Sequence, residues 1–397
     1  MNESVQLANE KIAQVNELIG QYPFDGYLIL SRQGADTKFS LIFDQDTEAY
    51  AAAVFTPNHG ATLLVQESEA AKFEGLEGIR VEPYQEAFRD ALYQALERGQ
   101  FRQLGVNVSE DNHGADGLTL GSYALLRGYY GEKVDEVLCS AEELIDTVRA
   151  IKTPQEIARI RECIRRVEEC LDVVLPQIRV GMTEVDIGNI FVQEMHKREL
   201  TASVGDPEGP PIVSNLRGGI SHRGAAGTVT MPGDTIVIDF CAWYKGFSSD
   251  LSRTTYVLKK GETKPSEQAQ AFFDLVHGNI TEIAKMAKAG VRGYEVNQVR
   301  LDREAAFGDV PDYGVSAGHQ IGRECHDGGT TFSKKERGKY ACSAMRENET
   351  YALEPSCLLF DRKIGAHIEE DILVHKDCVE FLSHRQHEIF LIPYGEV

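Results

Sequence analysis

The sequence predicts an α/β (α+β) chain of two domains: a small one over residues 1–145 and a larger one over 150–397, built from two similar halves. Three observations carry this. Short apolar runs alternate with helical patterns up to about residue 145, the mark of an α/β unit. A long amphipathic helix with a strong start signal begins at Thr153. Beyond it, GMTEVDIGNIF from Gly181 is echoed by GVRGYEVNQVR from Gly290, at an offset of 109 residues.

In the first domain GYLIL (26–30), AAAVFT (51–56), ATLLVQ (61–66), QLGVNV (103–108) and KVDEVL (133–138) read as strands. PYQEAFRDALYQALERG sets Phe88, Leu92 and Leu96 on one helical face and closes at Gly99. No dense constellation of His, Asp and Glu falls on these strand signals, so the chemistry is expected in the second domain. There Thr153, Pro154 and Glu156 form a capping-box start with proline at the first helical position. Ile157, Ile160, Ile164, Val167, Leu171 and Val174 follow at spacings of three and four. Each echo segment follows a long amphipathic helix, Ile157–Leu175 and about Ser266–Ala289, and precedes a hairpin carrying carboxylates. That repeated order predicts a pseudo-twofold domain with its site at the centre.

The two hairpins carry matched pairs. Asp239 and Asp250 lie in TIVIDFCAWYKGFSSDLSRTTYV, with a midpoint between Tyr244 and Lys245; Glu354 and Glu369 lie in TYALEPSCLLFDRKIGAHIEEDILV, with a midpoint between Asp361 and Arg362. A two-residue loop at either point sets each pair directly opposite on one face. Apolar flanks (Ile236, Ile238, Phe240, Leu353, Leu358, Leu359) predict burial. Four buried carboxylates on one face repel unless protons or cations intervene, and two divalent ions answer that. Oxygen donors suit manganese, magnesium, cobalt, iron or zinc. His319, in YGVSAGHQIGRECHDGG, is a fifth candidate; its neighbouring glycines let the chain bend tightly. A lone histidine is more often a core or surface residue, but beside converging carboxylates the ligand reading prevails. Gly314–Gly318 spells the nucleophile-elbow pattern, yet a glycine-rich segment and no helix follows it.

Composition bounds the rest. The chain has 397 residues, 42% of them apolar, and a net charge of −21. That balance argues against binding nucleic acid or anionic membrane through bulk charge. No basic segment leads into an apolar core at the N-terminus and no apolar run approaches 18 residues, so neither a signal peptide nor a membrane span is expected. The eight cysteines form no C-x-x-C pair and read as free, mostly buried thiols of a cytoplasmic protein.

These motifs give the chain a resemblance to the pita-bread metallopeptidases, the family of prolidase, aminopeptidase P, methionine aminopeptidase and creatinase. Asp239, Asp250, His319, Glu354 and Glu369 match its five-ligand set in order, spacing and motif: ID and SD, then GHxxG, EP and IEED. VRAIKTPQEIARIR (148–161) resembles the family's linker helix, and residues 1–145 its creatinase-type N-terminal domain. The resemblance implies a pita-bread catalytic domain holding two divalent ions, manganese first, with cobalt, zinc or iron as substitutes. It implies that Asp239 binds one ion, that His319 and Glu354 bind the other, and that Asp250 and Glu369 bridge them. Glu354 would shuttle a proton, while His222 and His326 would position substrate and stabilise an oxyanion. It also implies a homodimer.

Three positions depart from the proline-peptidase pattern. His326 is followed by Asp327 and not glutamate, Ser356 replaces a glycine, and His367 replaces an arginine. All three are expected on the substrate side, with His367 a candidate contact for a substrate carboxylate. The leading expectation is a metal-dependent amide hydrolase, an Xaa-Pro dipeptidase or aminopeptidase acting on small peptides. A second is an enzyme of the same fold cleaving or eliminating on a small non-peptide metabolite. A third is a non-catalytic binding scaffold, which would have no physical reason to keep five costly buried polar groups.

Overall fold

The structure, a computed structural model, describes residues 2–57, 60–85, 87–219, 224–308, 310, 315–359 and 361–396. It divides into two compact units, Met1–Glu156 and Ile157–Val397. The first runs α1 (Glu3–Leu18), β1 (Gly26–Ser31), α2 (Thr37–Phe43), β2 (Ala51–Thr56), β3 (Gly60–Gln66), β4 (Ile79–Tyr84), α3 (Phe88–Gly99), β5 (Leu104–Val106), α4 (Leu120–Tyr130), α5 (Val134–Val137), β6 (Leu138–Ser140) and α6 (Glu142–Ala150). Its six strands form one sheet in the order β4-β3-β2-β1-β5-β6. Helices cover both faces, which is why β1 and β2 read as unbroken apolar runs.

Two readings of this unit need correction. KVDEVL is not a strand: Val134–Val137 form α5, and only Leu138 starts β6. Val134 and Val137 are spaced by three, which fits a helical turn better than alternation. β4 was missed because it is a half-buried edge strand containing Pro83, a residue tolerated at an edge. Leu144, Ile145 and Val148 of α6 lie in the first unit's core, so this unit extends past residue 145 to Glu156.

The second unit begins within α7 (Pro154–Val174) and continues with α8 (Glu184–Lys197), β7 (Thr201–Ala202), β8 (Ile212–Asn215), β9 (Thr235–Tyr244), β10 (Phe247–Val257), α9 (Glu267–Met286) and α10 (Gly293–Phe307). It then runs β11 (Gly318–Gln320), α11 (Lys339–Cys342), β12 (Thr350–Leu353), β13 (Ser356–Leu359), β14 (Ile364–His367), β15 (Glu370–Val374), β16 (Val379–Phe381) and β17 (Phe390–Ile392). One sheet holds β17-β10-β9-β7 with β8 also on β9; a second holds β11-β12-β15-β16, and β13 pairs β14.

The echo is structural. Gly181 donates to the Thr230 carbonyl at 2.9 Å and the Met182 carbonyl accepts from Thr230 at 2.8 Å. Gly290 donates to the Met345 carbonyl at 2.8 Å and the Val291 carbonyl accepts from Met345 at 2.8 Å. Both glycines take positive φ, 93° and 92°. Thr183 and Arg292 then make matching isolated bridges and precede α8 and α10. Asp239 and Glu354 follow Thr230 and Met345 at the same interval, so they are equivalent under the pseudo-twofold.

The first hairpin differs from its expected register. Tyr244 pairs with Phe247 across the loop Lys245–Gly246, whose φ values are 47° and 76°. A two-residue loop needs positive φ at both positions of this turn type, and Gly246 sets it one residue later than expected. Asp239 therefore faces Ser252 and Asp250 faces Cys241. The two carboxylates are diagonal neighbours, still on one face. The second hairpin keeps its expected register, with Leu353 opposite Glu370 and Ser356 opposite His367. Its loop spans the four residues between Leu359 and Ile364, not two. The ladder breaks at Glu354–Pro355, where proline has no N–H to give.

A Cβ added at Gly246 would lie 2.9 Å from Arg323 Nη1, at φ +76°. Gly246→Ala is therefore expected to destabilise the chain by about 1–2 kcal/mol. Urea unfolding checks this, and an unchanged midpoint would contradict it.

Candidate metal centre

Strand alternation puts Ile236, Ile238 and Phe240 of β9 into the core and Asp239 on the opposite face. Asp250 sits on the paired strand β10, His319 in the middle of β11, Glu354 just after β12 and Glu369 just before β15. Several bonds lock the hairpins together. Glu369 donates its N–H to the Ser252 carbonyl at 3.2 Å. The Asp250 N–H donates to Asp371 Oδ2 at 3.1 Å, and Arg253 Nη1 donates to the Glu369 carbonyl at 2.8 Å. Thr254 Oγ1 donates to the His367 carbonyl at 2.7 Å and lies 3.0 Å from the His367 N–H.

The result is one cluster. His319 Nε2 lies 3.3 Å from Asp250 Oδ2 and 3.8 Å from Glu354 Oε2. His319 Nδ1 is 3.1 Å from the Gln320 carbonyl, which orients the ring with Nε2 toward the carboxylates. Asp239, Glu369 and His367 offer atoms within 4.8 Å of one another. Asp239, Asp250 and Glu369 are buried, while Glu354 keeps some exposure.

The electrostatics show why such a cluster needs counter-charge. Burial, reinforced by Asp250, pushes the Asp239 carboxyl up to about 8. Burial raises Glu354 to about 7 and Glu369 well above its ordinary range. Burial acts on Asp250 in the same direction, but the His319 imidazole beside it wins and holds this carboxyl below its usual range. His319 rises to about 9: burial opposes its charge, and Glu354 and Asp250 more than offset that. Without cations these groups keep protons that cations would displace. Glu369 Oε2 and Asp371 Oδ1 are buried with no hydrogen-bond partner among the described residues. Unsatisfied buried oxygens beside clustered carboxylates and an imidazole fit a divalent ion.

The other expected site residues fall out differently. His326 is exposed and its ring lies against that of His319 at a 34° tilt, centroids 4.1 Å apart. His222 lies outside the described residues. His367, expected on the substrate side, is buried, with Nε2 3.0 Å from Glu369 Oε1. It precedes Glu369 by two residues, across the break between β14 and β15.

Three residues of the cluster were not anticipated. Cys241 Sγ is 2.9 Å from Asp250 Oδ1 and 3.5 Å from Asp239 Oδ1, and Cys325 Sγ is 3.1 Å from Asp250 Oδ2. Asp371 is fully buried against the Asp250 backbone, its carboxyl raised by burial and then by Asp250. Cys241 and Asp371 each lie two residues beyond a candidate ligand, so period-two alternation could have found them. Cys325 sits in an irregular loop and carries no such signal.

Comparison with known proteins agrees with this picture. The profile of metallopeptidase family M24 matches residues 158–376. The chain is 24% identical to the Xaa-Pro dipeptidase of Pyrococcus horikoshii over 97% of this chain and all of that protein. It is 24% identical to the uncharacterized peptidase YqhT of Bacillus subtilis over 96% of this chain and all of that one. Among solved structures, the Xaa-Pro dipeptidase from Bacillus anthracis superposes with a TM-score of 0.77 at 22% identity, covering 97% of this chain and all of the other. The X-Pro aminopeptidase from Thermotoga maritima superposes at 0.76 and 24% identity, covering 95% of this chain and all of that one. These likenesses confirm the mixed α/β fold that the resemblance implied. The matched segment spans more than half of the chain and contains all five candidate ligands, and the chain belongs to metallopeptidase family M24, the pita-bread metallohydrolases.

Proposed function

We propose that the chain is a dinuclear-metal-dependent dipeptidase that hydrolyses the Xaa-Pro amide bond. The observation that carries this is the approach of His319 Nε2 to Asp250 Oδ2 and Glu354 Oε2, 3.3 and 3.8 Å away, from three separate elements. The full-length likeness to the Pyrococcus horikoshii Xaa-Pro dipeptidase supports the substrate class. In this reading Asp239 would hold one ion and His319 and Glu354 the other, with Asp250 and Glu369 shared between them. Divalent ions held there supply Lewis acidity and a nucleophilic water at neutral pH. Glu354, the most open of these carboxyls, takes the proton of the attacking water and returns it to the departing nitrogen. His326, beside His319 and exposed to solvent, donates to the oxygen that gains charge.

A panel assay of the metal-loaded protein tests this, with Xaa-Pro dipeptides, longer Xaa-Pro peptides, dipeptides lacking proline and guanidino metabolites. Xaa-Pro dipeptides are expected to give the highest kcat/KM. Cleavage of a guanidino compound with no turnover of any Xaa-Pro peptide would replace this reading with the non-peptide one. His326→Ala is expected to keep wild-type metal content and lose roughly 10²–10³ in kcat, the usual cost of one oxyanion donor. If kcat is unchanged, His326 has no part in the chemistry.

A further inference from the structure

Asp250 is held between two thiols from different parts of the chain. Cys241 is its ladder partner on β9, and its Sγ lies 2.9 Å from Oδ1. Cys325 comes from the loop after β11, and its Sγ lies 3.1 Å from Oδ2. Each oxygen of the proposed bridging carboxylate thus has its own sulfur. The sulfurs also divide between the two proposed ions. Cys241 Sγ is 3.5 Å from Asp239 Oδ1. Cys325 forms a group with His319 and His326 whose donor atoms all lie within 4.8 Å of one another. These are coordination-sphere spacings. Zinc bonds of about 2.3 Å to sulfur and 2.0–2.2 Å to nitrogen or oxygen give tetrahedral edges of roughly 3.3–3.8 Å. The observed edges about Asp250, from 2.9 to 3.3 Å, are shorter by a few tenths of an ångström.

The bland alternative is that both thiols are core donors to a buried carboxylate. Their placement argues for more. Thiols are weak donors, a poor choice for satisfying Asp250, and both point at the groups that would hold the ions.

We propose that Cys241 and Cys325 are metal ligands, one thiolate on each ion, so that the centre selects borderline, thiophilic cations such as zinc, cobalt or iron(II) over manganese and magnesium. This rests on the dinuclear centre proposed above. On coordination each S–H bond breaks, its proton leaves to solvent, and one sulfur–metal bond forms.

X-ray absorption of the full-length protein, stripped and reloaded with zinc, tests the idea without a variant. Expected are two zinc ions per chain and a sulfur shell at about 2.3 Å amounting to one sulfur per zinc. The double variant Cys241→Ser/Cys325→Ser is expected to lose that shell. With cobalt it should also lose the near-ultraviolet sulfur-to-cobalt band that the wild type shows. Two bound zinc ions with only a nitrogen and oxygen shell would overturn the thiolate assignment and leave the metal centre standing. A sulfur shell that persists in the double variant would overturn it too, since the sulfur would come from other cysteines. No zinc bound to the folded wild type would overturn the centre itself, and the thiolate proposal with it.

Discussion

Asp250→Ala is expected to strip both ions and abolish turnover. Asp250 Oδ2 lies 3.3 Å from His319 Nε2 and 3.1 Å from Cys325 Sγ, while Oδ1 lies 2.9 Å from Cys241 Sγ. The two oxygens therefore face the donors proposed for different ions, and one substitution removes a ligand from each. Loss of an outer partner of a metal ligand already costs about 10–100-fold in metal affinity. Loss of a shared ligand should exceed that at both positions at once. The fold should survive. Asp250 is one of the charges that raise Asp239, Glu369 and Asp371, so the repulsion its removal relieves offsets the pairing with His319 that is lost. Elemental analysis and thermal unfolding of the stripped protein separate the two effects. A variant that keeps two ions per chain refutes the bridging role. A variant that fails to fold when stripped refutes the claim that Asp250 is there for metal. Glu369→Ala should behave alike, because Glu369 Oε2 is buried with no hydrogen-bond partner among the described residues.

Much of this centre was legible in the sequence, because strand alternation and loop chemistry are local rules. Placing Asp239 and Asp250 on one face needed only a hairpin. Getting their register right needed one more fact, that Gly246 belongs at the second loop position with φ 76°, and the midpoint rule set the turn one residue early. Glu354 and Glu369 came out opposite because the longer loop between Leu359 and Ile364 keeps the same centre. The echo at Gly181 and Gly290 was visible as a motif, and its cause is the same bond pair closing on Thr230 and Met345. What the sequence hid was which further residues join the converging carboxylates. Nothing local says that a thiol in the loop after β11 meets Asp250 on β10, or that His367 lies against Glu369. The α5 segment failed for another reason: Val134 and Val137 are too few apolar positions to tell a turn of helix from a strand.

The largest effect on stability is expected from Glu156→Ala. Lys11 Nζ lies 2.6 Å from Glu156 Oε2, with the two side chains 0% and 1% exposed. Lys11 also donates to the Val148 carbonyl at 2.5 Å and to Gln14 Oε1 at 3.0 Å. These bonds fix its ammonium in the first unit and give it no route to water. Glu156 also caps a helix. Its Oε2 accepts the Thr153 N–H at 2.9 Å, which closes the capping box of α7. Removing the carboxylate takes from a buried ammonium its Glu156 counter-charge, at a cost of about 3–5 kcal/mol, and opens a cap worth about 1 kcal/mol. The two costs overlap, since one oxygen serves both. Lys11→Met should cost less, because the remaining carboxylate keeps the Thr153 bond. Lys11→Met/Glu156→Leu should recover most of the loss, as apolar replacements of buried pairs do, and should fall short by about the cap. Denaturant unfolding of the three variants supplies the cycle. If Glu156→Ala costs under about 1 kcal/mol, a range typical of exposed pairs, the ammonium has found water. If the double variant is as unstable as Glu156→Ala, the loss lies in the cap and not in the stranded charge.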